Sequence, residues 1–177
     1  MPPLAALRKL LAESLFSYEK WLKTSKWRGK EHDCVNLFVF KFLLTKISPT
    51  GPFFDASQIA MEGAIPQLPG DGRKQAVRKD LVIWQRPAMT TWNQEWKAEH
   101  HPMAIVEWKT RRKKANRPLI SPHDLTWITE YSKEKTDFIG CCATVDFAEQ
   151  FPRLETVIIE IGNATENFHK SAHPFTN

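Results

Sequence analysis

The sequence predicts one α/β domain in which a central mixed β-sheet is flanked by helices. Three observations lead there. Two N-terminal stretches repeat their apolar residues at helical spacing, whereas the later apolar runs are short and bounded by Gly, Pro and polar clusters, as strands are. Two of those runs, residues 138–145 and 156–161, are apolar or small almost throughout, which suits strands covered on both faces. Between the strand runs lies a well-signalled helix. The resulting order is helix, helix, two or three strands, helix, strand, short turn or helix, strand, and it closes around one sheet. At 177 residues the chain suffices for one domain with a sizeable core.

Each element has its own justification. Over residues 4–23, Leu7, Leu11, Leu15, Tyr18 and Leu22 recur three and four apart, the pattern of an amphipathic helix. Residues 26–29 break it. A second helix follows, with Val35, Phe38, Val39, Phe42 and Leu43 on one stripe and Leu37, Phe40 and Leu44 on another. A helix apolar on nearly all sides is expected to be buried. Glu31 and Asp33 stand at its start, where carboxylates suit the helix dipole. Pro49, Gly51 and Pro52 punctuate a loop, and residues 58–65 are a weakly signalled first strand. A second loop, residues 66–75, leads into the strand Arg78-Lys79-Asp80-Leu81-Val82-Ile83-Trp84. Residues 85–102, rich in Trp, Glu and His, suit a wide hairpin whose tip could touch a partner. The strand Ala104-Ile105-Val106-Glu107-Trp108-Lys109-Thr110 comes next. Ser121, Pro122 and Asp124 then open a helix as N-cap, first-position proline and first-turn acid. Its Leu125, Ile128 and Tyr131 face inward, and Lys133 and Lys135 face solvent. There is no internal repeat.

Composition narrows the classes of function. With 42% apolar and 25% charged residues the chain is ordinary for a globular domain. A net charge of +5 and a pI near 9.2 favour a polyanionic partner. The three cysteines, two of them adjacent, have no zinc spacing and read as free thiols in a reducing compartment. Arg8, Lys9 and Glu13 interrupt the N-terminal apolar residues, so no signal peptide is expected. No run approaches the ~18 apolar residues of a membrane span. The expectation is a cytoplasmic protein without a membrane partner.

Strand alternation puts Glu107 and Lys109 on one face at a strand's end. If the Asp80 strand pairs with theirs, a second carboxylate comes near. A carboxylate pair beside an ammonium can hold a divalent cation and a water in one place. These residues, with a glutamate on the preceding helix and a capped helix afterwards, resemble the PD-(D/E)XK nuclease superfamily over roughly residues 28–145. That is the restriction-endonuclease-like fold, which includes Holliday junction resolvase-like members. The resemblance implies an αβββαβ core over residues 29–162, an extra N-terminal helix in 1–28 and a tail from 163. It also implies a magnesium-dependent deoxyribonuclease, with manganese able to substitute. Asp80 and Glu107 would be its acidic ligands, Lys109 its catalytic lysine, and Glu31 the helix glutamate beside the metal. The sequence departs from the family pattern in two places. Lys79 stands where the superfamily's name has proline, and no glutamine occupies the helix after Lys109.

The chemistry accounts for these residue types. Magnesium prefers oxygen ligands and keeps several waters, so two carboxylates and the Trp108 carbonyl would suffice. Lys109 would orient the attacking water or stabilise charge on the phosphate oxygens. The run Arg111, Arg112, Lys113, Lys114 and Arg117 would grip the DNA backbone, a contact that carries no sequence information. A homodimer is left open. Plainer readings stand beside these. Glu107 and Lys109 could be a solvated pair worth under ~1 kcal/mol, and the basic run a solvated face. Trp84, Trp92, Trp96, Trp108 and Trp127 could stack on bases or simply be buried. His100 and His101, adjacent on a strand, would point opposite ways. Asp71, Glu62 or Asp146 would replace a ligand if the strand boundaries shift. The function of a different class is a non-catalytic nucleic-acid-binding module that retains the fold. A weaker third is a basic face that meets an acidic protein.

Overall fold

The computed structural model describes residues 4–68, 74–114, 116, 118–135 and 137–172. Helix α1 (Leu4–Ser25) buries Leu7, Leu11, Leu15, Tyr18 and Leu22, the five residues of the expected stripe. Helix α2 (Glu31–Phe38) runs into a π-helical turn at Val39–Leu43 and a 3-10 turn at Leu44–Lys46. Val35, Phe38, Val39, Phe42 and Leu43 are buried, while Phe40, expected inside, is 62% exposed.

Six strands form one mixed sheet in chain order. They are β1 (Ile59–Pro66), β2 (Ala76–Ile83), β3 (Ala104–Arg111), β4 (Ile139–Asp146), β5 (Arg153–Glu160) and β6 (Asn163–Glu166). All neighbours pair antiparallel except β3 and β4, which are parallel and joined through helix α3 (Pro122–Glu134). A parallel pair needs such a crossover, whereas antiparallel pairs close with short turns. The expected tail thus begins with a sixth strand instead. A 3-10 turn at Phe168–Ala172 follows it and packs on α1. Nor is α1 an appendage. Its Tyr18 packs edge-on against Trp108 at the middle of the sheet, 5.7 Å between ring centroids.

The sheet has two differently filled faces. Leu81, Ile83, Ala104, Val106 and Trp108 point toward α1 and α2. Val82, Trp84, Ile105, Cys142, Val157 and Ile159 point toward α3, with its Trp127, Ile128 and Tyr131. Every residue of β4 is buried, as expected of a strand covered on both faces. Gly140 lets α3 lie close, because a Cβ there would come 2.0 Å from Ile128 Cγ2. Ser121 caps α3 by accepting the Asp124 N–H at 3.4 Å, with Pro122 in the first turn. Cys34, Cys141 and Cys142 are buried free thiols. Among the described residues no helix is long and apolar enough to cross a membrane.

One irregularity matters for function. On β2, Val77 packs on the α3 side together with Val82 and Trp84, although residues of opposite parity should face opposite ways. On β1 the same holds for Ala60 and Ile65. Between them Glu62 has φ 53° and is skipped in the pairing, which runs Met61↔Leu81 and then Gly63↔Lys79. Asp80 is the residue opposite that skip. The face reversal at Asp80 therefore turns Lys79 inward, toward α3.

Candidate active site at the β2–β3 junction

β2 and β3 pair only at Leu81↔Val106, Val82↔Ile105 and Ile83↔Ala104. Beyond Leu81 the strands part, and a side chain bridges the gap. Asp80 Oδ2 accepts the Trp108 N–H at 2.6 Å, in the place of a ladder carbonyl. The next residue brings its side chain into the same space, since Lys109 donates to the Trp108 carbonyl at 2.9 Å and to Glu31 Oε1 at 3.1 Å. From α3, Asp124 Oδ2 lies 3.8 Å from the same ammonium and is buried without a hydrogen-bond partner. Strands β2 and β3 and the starts of α2 and α3 thus converge on Lys109.

Glu107 is the buried member. Its carboxylate takes Lys79 Nζ at 2.5 Å, and that ammonium also sits 3.8 Å from the centroid of the Trp127 ring. Burial raises the Glu107 carboxyl to about 7; Lys79 works against that rise and Asp80, close beside it, adds to it. Lys109 behaves differently. Burial works against its charge, but Glu31, Asp80 and Asp124 outweigh burial and raise its pKa. Lys109 is therefore a fixed cation, unsuited to act as a base near neutral pH.

Hydrogen bonds thus link Asp80 to Trp108, and Trp108 through Lys109 to Glu31, while Glu107 adjoins the chain beside Asp80. The reading of the sequence missed Lys79 and Asp124 as members of the cluster. Asp124 carried a signal, as the acid of a capped helix that follows the motif strand. Lys79 had none beyond its presence in an apolar strand, because only the face reversal turns it inward.

The donor set is compatible with a hard divalent ion. Two carboxylates and a main-chain carbonyl are oxygen ligands, and magnesium completes its shell with water. The Trp108 carbonyl already accepts from Lys109 but has a second lone pair. Among the described residues no three His, Cys, Asp or Glu side chains gather on one point, so water would supply most of the shell. Glu62, considered as a substitute, is exposed on β1. Asp146 is occupied by Arg111 and Arg153. Asp71 lies outside the described residues. His101 Nδ1 pairs with the Tyr131 hydroxyl at 2.7 Å and His100 Nδ1 with the Thr90 carbonyl at 2.9 Å.

The basic run divides. Arg111 has its guanidinium in a two-pronged pair with buried Asp146 and is largely covered. Arg112 and Lys113 are exposed and form no ion pair among the described residues. Lys114 is exposed and meets Glu149 at 3.2 Å. Arg117 lies outside the described residues. A cleft of about 220 Å³ opens beside Lys109, walled by Pro118, Leu119 and Pro122, with Thr144 and Ser121 among its polar lining. If Arg112 and Lys113 contact phosphates, the double variant Arg112→Ala, Lys113→Ala should flatten the log–log salt slope of DNA affinity by up to about two units. It should weaken binding to all sequences alike. A salt titration decides, and an unchanged slope makes the run a solvated face.

Of the tryptophans, Trp84, Trp108 and Trp127 are buried, whereas Trp96 is 77% exposed at the tip of the 85–102 connection. That connection is an irregular loop with one isolated bridge, Trp92↔Ala98, rather than a regular hairpin. Compared with family models, with curated proteins and with solved structures, the chain matches none.

Proposed function

We propose that the protein is a metal-dependent deoxyribonuclease of the restriction-endonuclease-like kind that hydrolyses DNA phosphodiesters, as an endonuclease. The observation that carries this reading is the linked chain of Glu107, Asp80, Trp108, Lys109 and Glu31 where β2 and β3 part. A divalent ion bound there would neutralise the phosphate and acidify a water. Asp80, Glu107 and the Trp108 carbonyl would hold it. Lys109, kept charged and aimed by Glu31 and Asp124, would stabilise the charge that grows on the phosphate oxygens. Arg112, Lys113 and Lys114 would grip the strand without reading bases.

The test is incubation with magnesium or manganese and a panel of duplex, flapped, branched and single-stranded DNAs. Cleavage that requires the ion and stops with EDTA supports the reading. The Lys79–Glu107 pair favours a second reading, because it satisfies one carboxylate without any ion. On that reading the chain is a nucleic-acid-binding module that keeps the fold. It predicts affinity for the same DNAs and no cleavage with either ion.

The raised Glu107 carboxyl adds a pH dependence. An acid raised to about 7 is mostly protonated below that pH and cannot serve as an anionic ligand. Cleavage at limiting magnesium should therefore climb between pH 6 and 8, about tenfold per unit on the acid limb. A rate profile flat from pH 5.5 to 8.5 would remove Glu107 from the ligand set.

A further inference from the structure

We infer that Lys79 is a resident cation of this acidic cluster whose charge limits the site to a single divalent ion. The inference rests on the metal-binding part of the reading above and adds an ion count and a residue that sets it.

Three elements hold Lys79. The face reversal at Asp80 turns it off its regular strand direction. Glu107 on β3 receives its ammonium at 2.5 Å, and Trp127 on α3 presents its ring face at 3.8 Å. Only 5% of the residue is exposed. A buried ammonium requires a counter-charge, since removing one partner of such a pair leaves an uncompensated charge. Glu107 is the carboxylate it pairs with among the described residues. The aromatic face adds a further attraction to the desolvated cation. Lys79 is thus built into the site rather than laid across it.

Charge then limits occupancy. Glu31, Asp80, Glu107 and Asp124 supply four negative charges when ionised, and Lys79 and Lys109 supply two positive ones, leaving −2. One divalent ion balances that. A second would leave the cluster at +2. Glu107 Oε1 already accepts from Lys79, so the ammonium competes with any ion for that oxygen. Replacing Lys79 by an uncharged residue should therefore strengthen ion binding or admit a second ion.

The experiment is a manganese titration of the DNA-free protein at pH 8, followed by the electron paramagnetic resonance signal of free ion. The expected result is one ion per wild-type chain. Lys79→Met keeps an apolar stem over Trp127 and removes the charge. It should bind the first ion about tenfold more tightly or more, or take a second. Lys79→Arg, which keeps the charge, should match the wild-type count. Two ions on the wild-type chain overturn the inference without any variant being needed, and so does Lys79→Met binding that is no tighter than wild type. One ion bound without DNA cleavage leaves the inference standing and removes the nuclease reading. Two ions with cleavage do the reverse, and no ion bound removes both.

Discussion

Replacing Asp80 or Lys109 with alanine should lower metal-dependent DNA cleavage by about a thousandfold or more while leaving the fold and most DNA affinity intact. The two substitutions should fail for different reasons. Asp80 lies beside Glu107 and accepts the Trp108 N–H, so its loss would remove a proposed ligand and free the β3 backbone at that point. Manganese affinity should fall with it. Lys109 is a cation held between Glu31 and Asp124, so Lys109→Ala should cut turnover while ion binding persists or tightens. Neither side chain is a core member: Asp80 is half-buried and Lys109 partly exposed. Circular dichroism spectra like wild type are therefore expected. Glu107→Ala should also abolish cleavage, but it strands buried Lys79 and should cost about 3 kcal/mol of stability. Cleavage at the wild-type rate by Asp80→Ala or Lys109→Ala would sink the catalytic assignment.

A second large effect is expected far from the site. Glu19 on α1 is buried and accepts from Lys23 Nζ at 2.9 Å and faces His169 Nε2 at 3.1 Å. The other ring nitrogen of His169 meets Thr156 Oγ1 on β5 at 2.7 Å. This chain ties the first helix, the fifth strand and the C-terminal turn together across the core. Glu19→Ala leaves a buried histidine and a buried hydroxyl without their chain, and should destabilise the protein by about 3 kcal/mol. Burial alone would raise the Glu19 carboxyl, yet the contacts from His169 and Lys23 overcome it and hold the group down to about 2. A carboxyl depressed in the folded state stabilises fully above its unfolded value and loses that contribution as pH falls through the folded one. The gap between wild type and Glu19→Ala in guanidinium unfolding should hence be widest near pH 7 and narrow from about pH 4.5 toward 2. A gap independent of pH would assign the loss to packing alone.

Local pattern determined much of this protein. The five-residue stripe of α1, the cap of α3, the both-faced burial of β4 and the alternation of β3 all depend on neighbours within one or two turns. Helical and strand periodicity record such dependence directly. The motif residues Asp80, Glu107 and Lys109 could be singled out for the same reason, since each stands at the polar end of an apolar run. Other features had no local record. The sixth strand, Asn163–Glu166, is exposed along its length and exists because the edge of β5 pairs with it. Phe40 lies outside because only the stripe of Val35, Phe38, Val39, Phe42 and Leu43 is packed into the core. Arg111 pairs with Asp146, a residue of the neighbouring strand, which its place in the basic run does not record. The Lys79–Glu107 pair required a face reversal that arises where β1 skips Glu62 opposite Asp80. Strand parity assigns side chains to faces only while the ladder is regular, and here Glu62 and Asp80 drop out of it together with the register kept on either side. Whether the ladder is interrupted is decided by pairing across the sheet, which is why the inward turn of Lys79 toward Glu107 was set by tertiary structure alone.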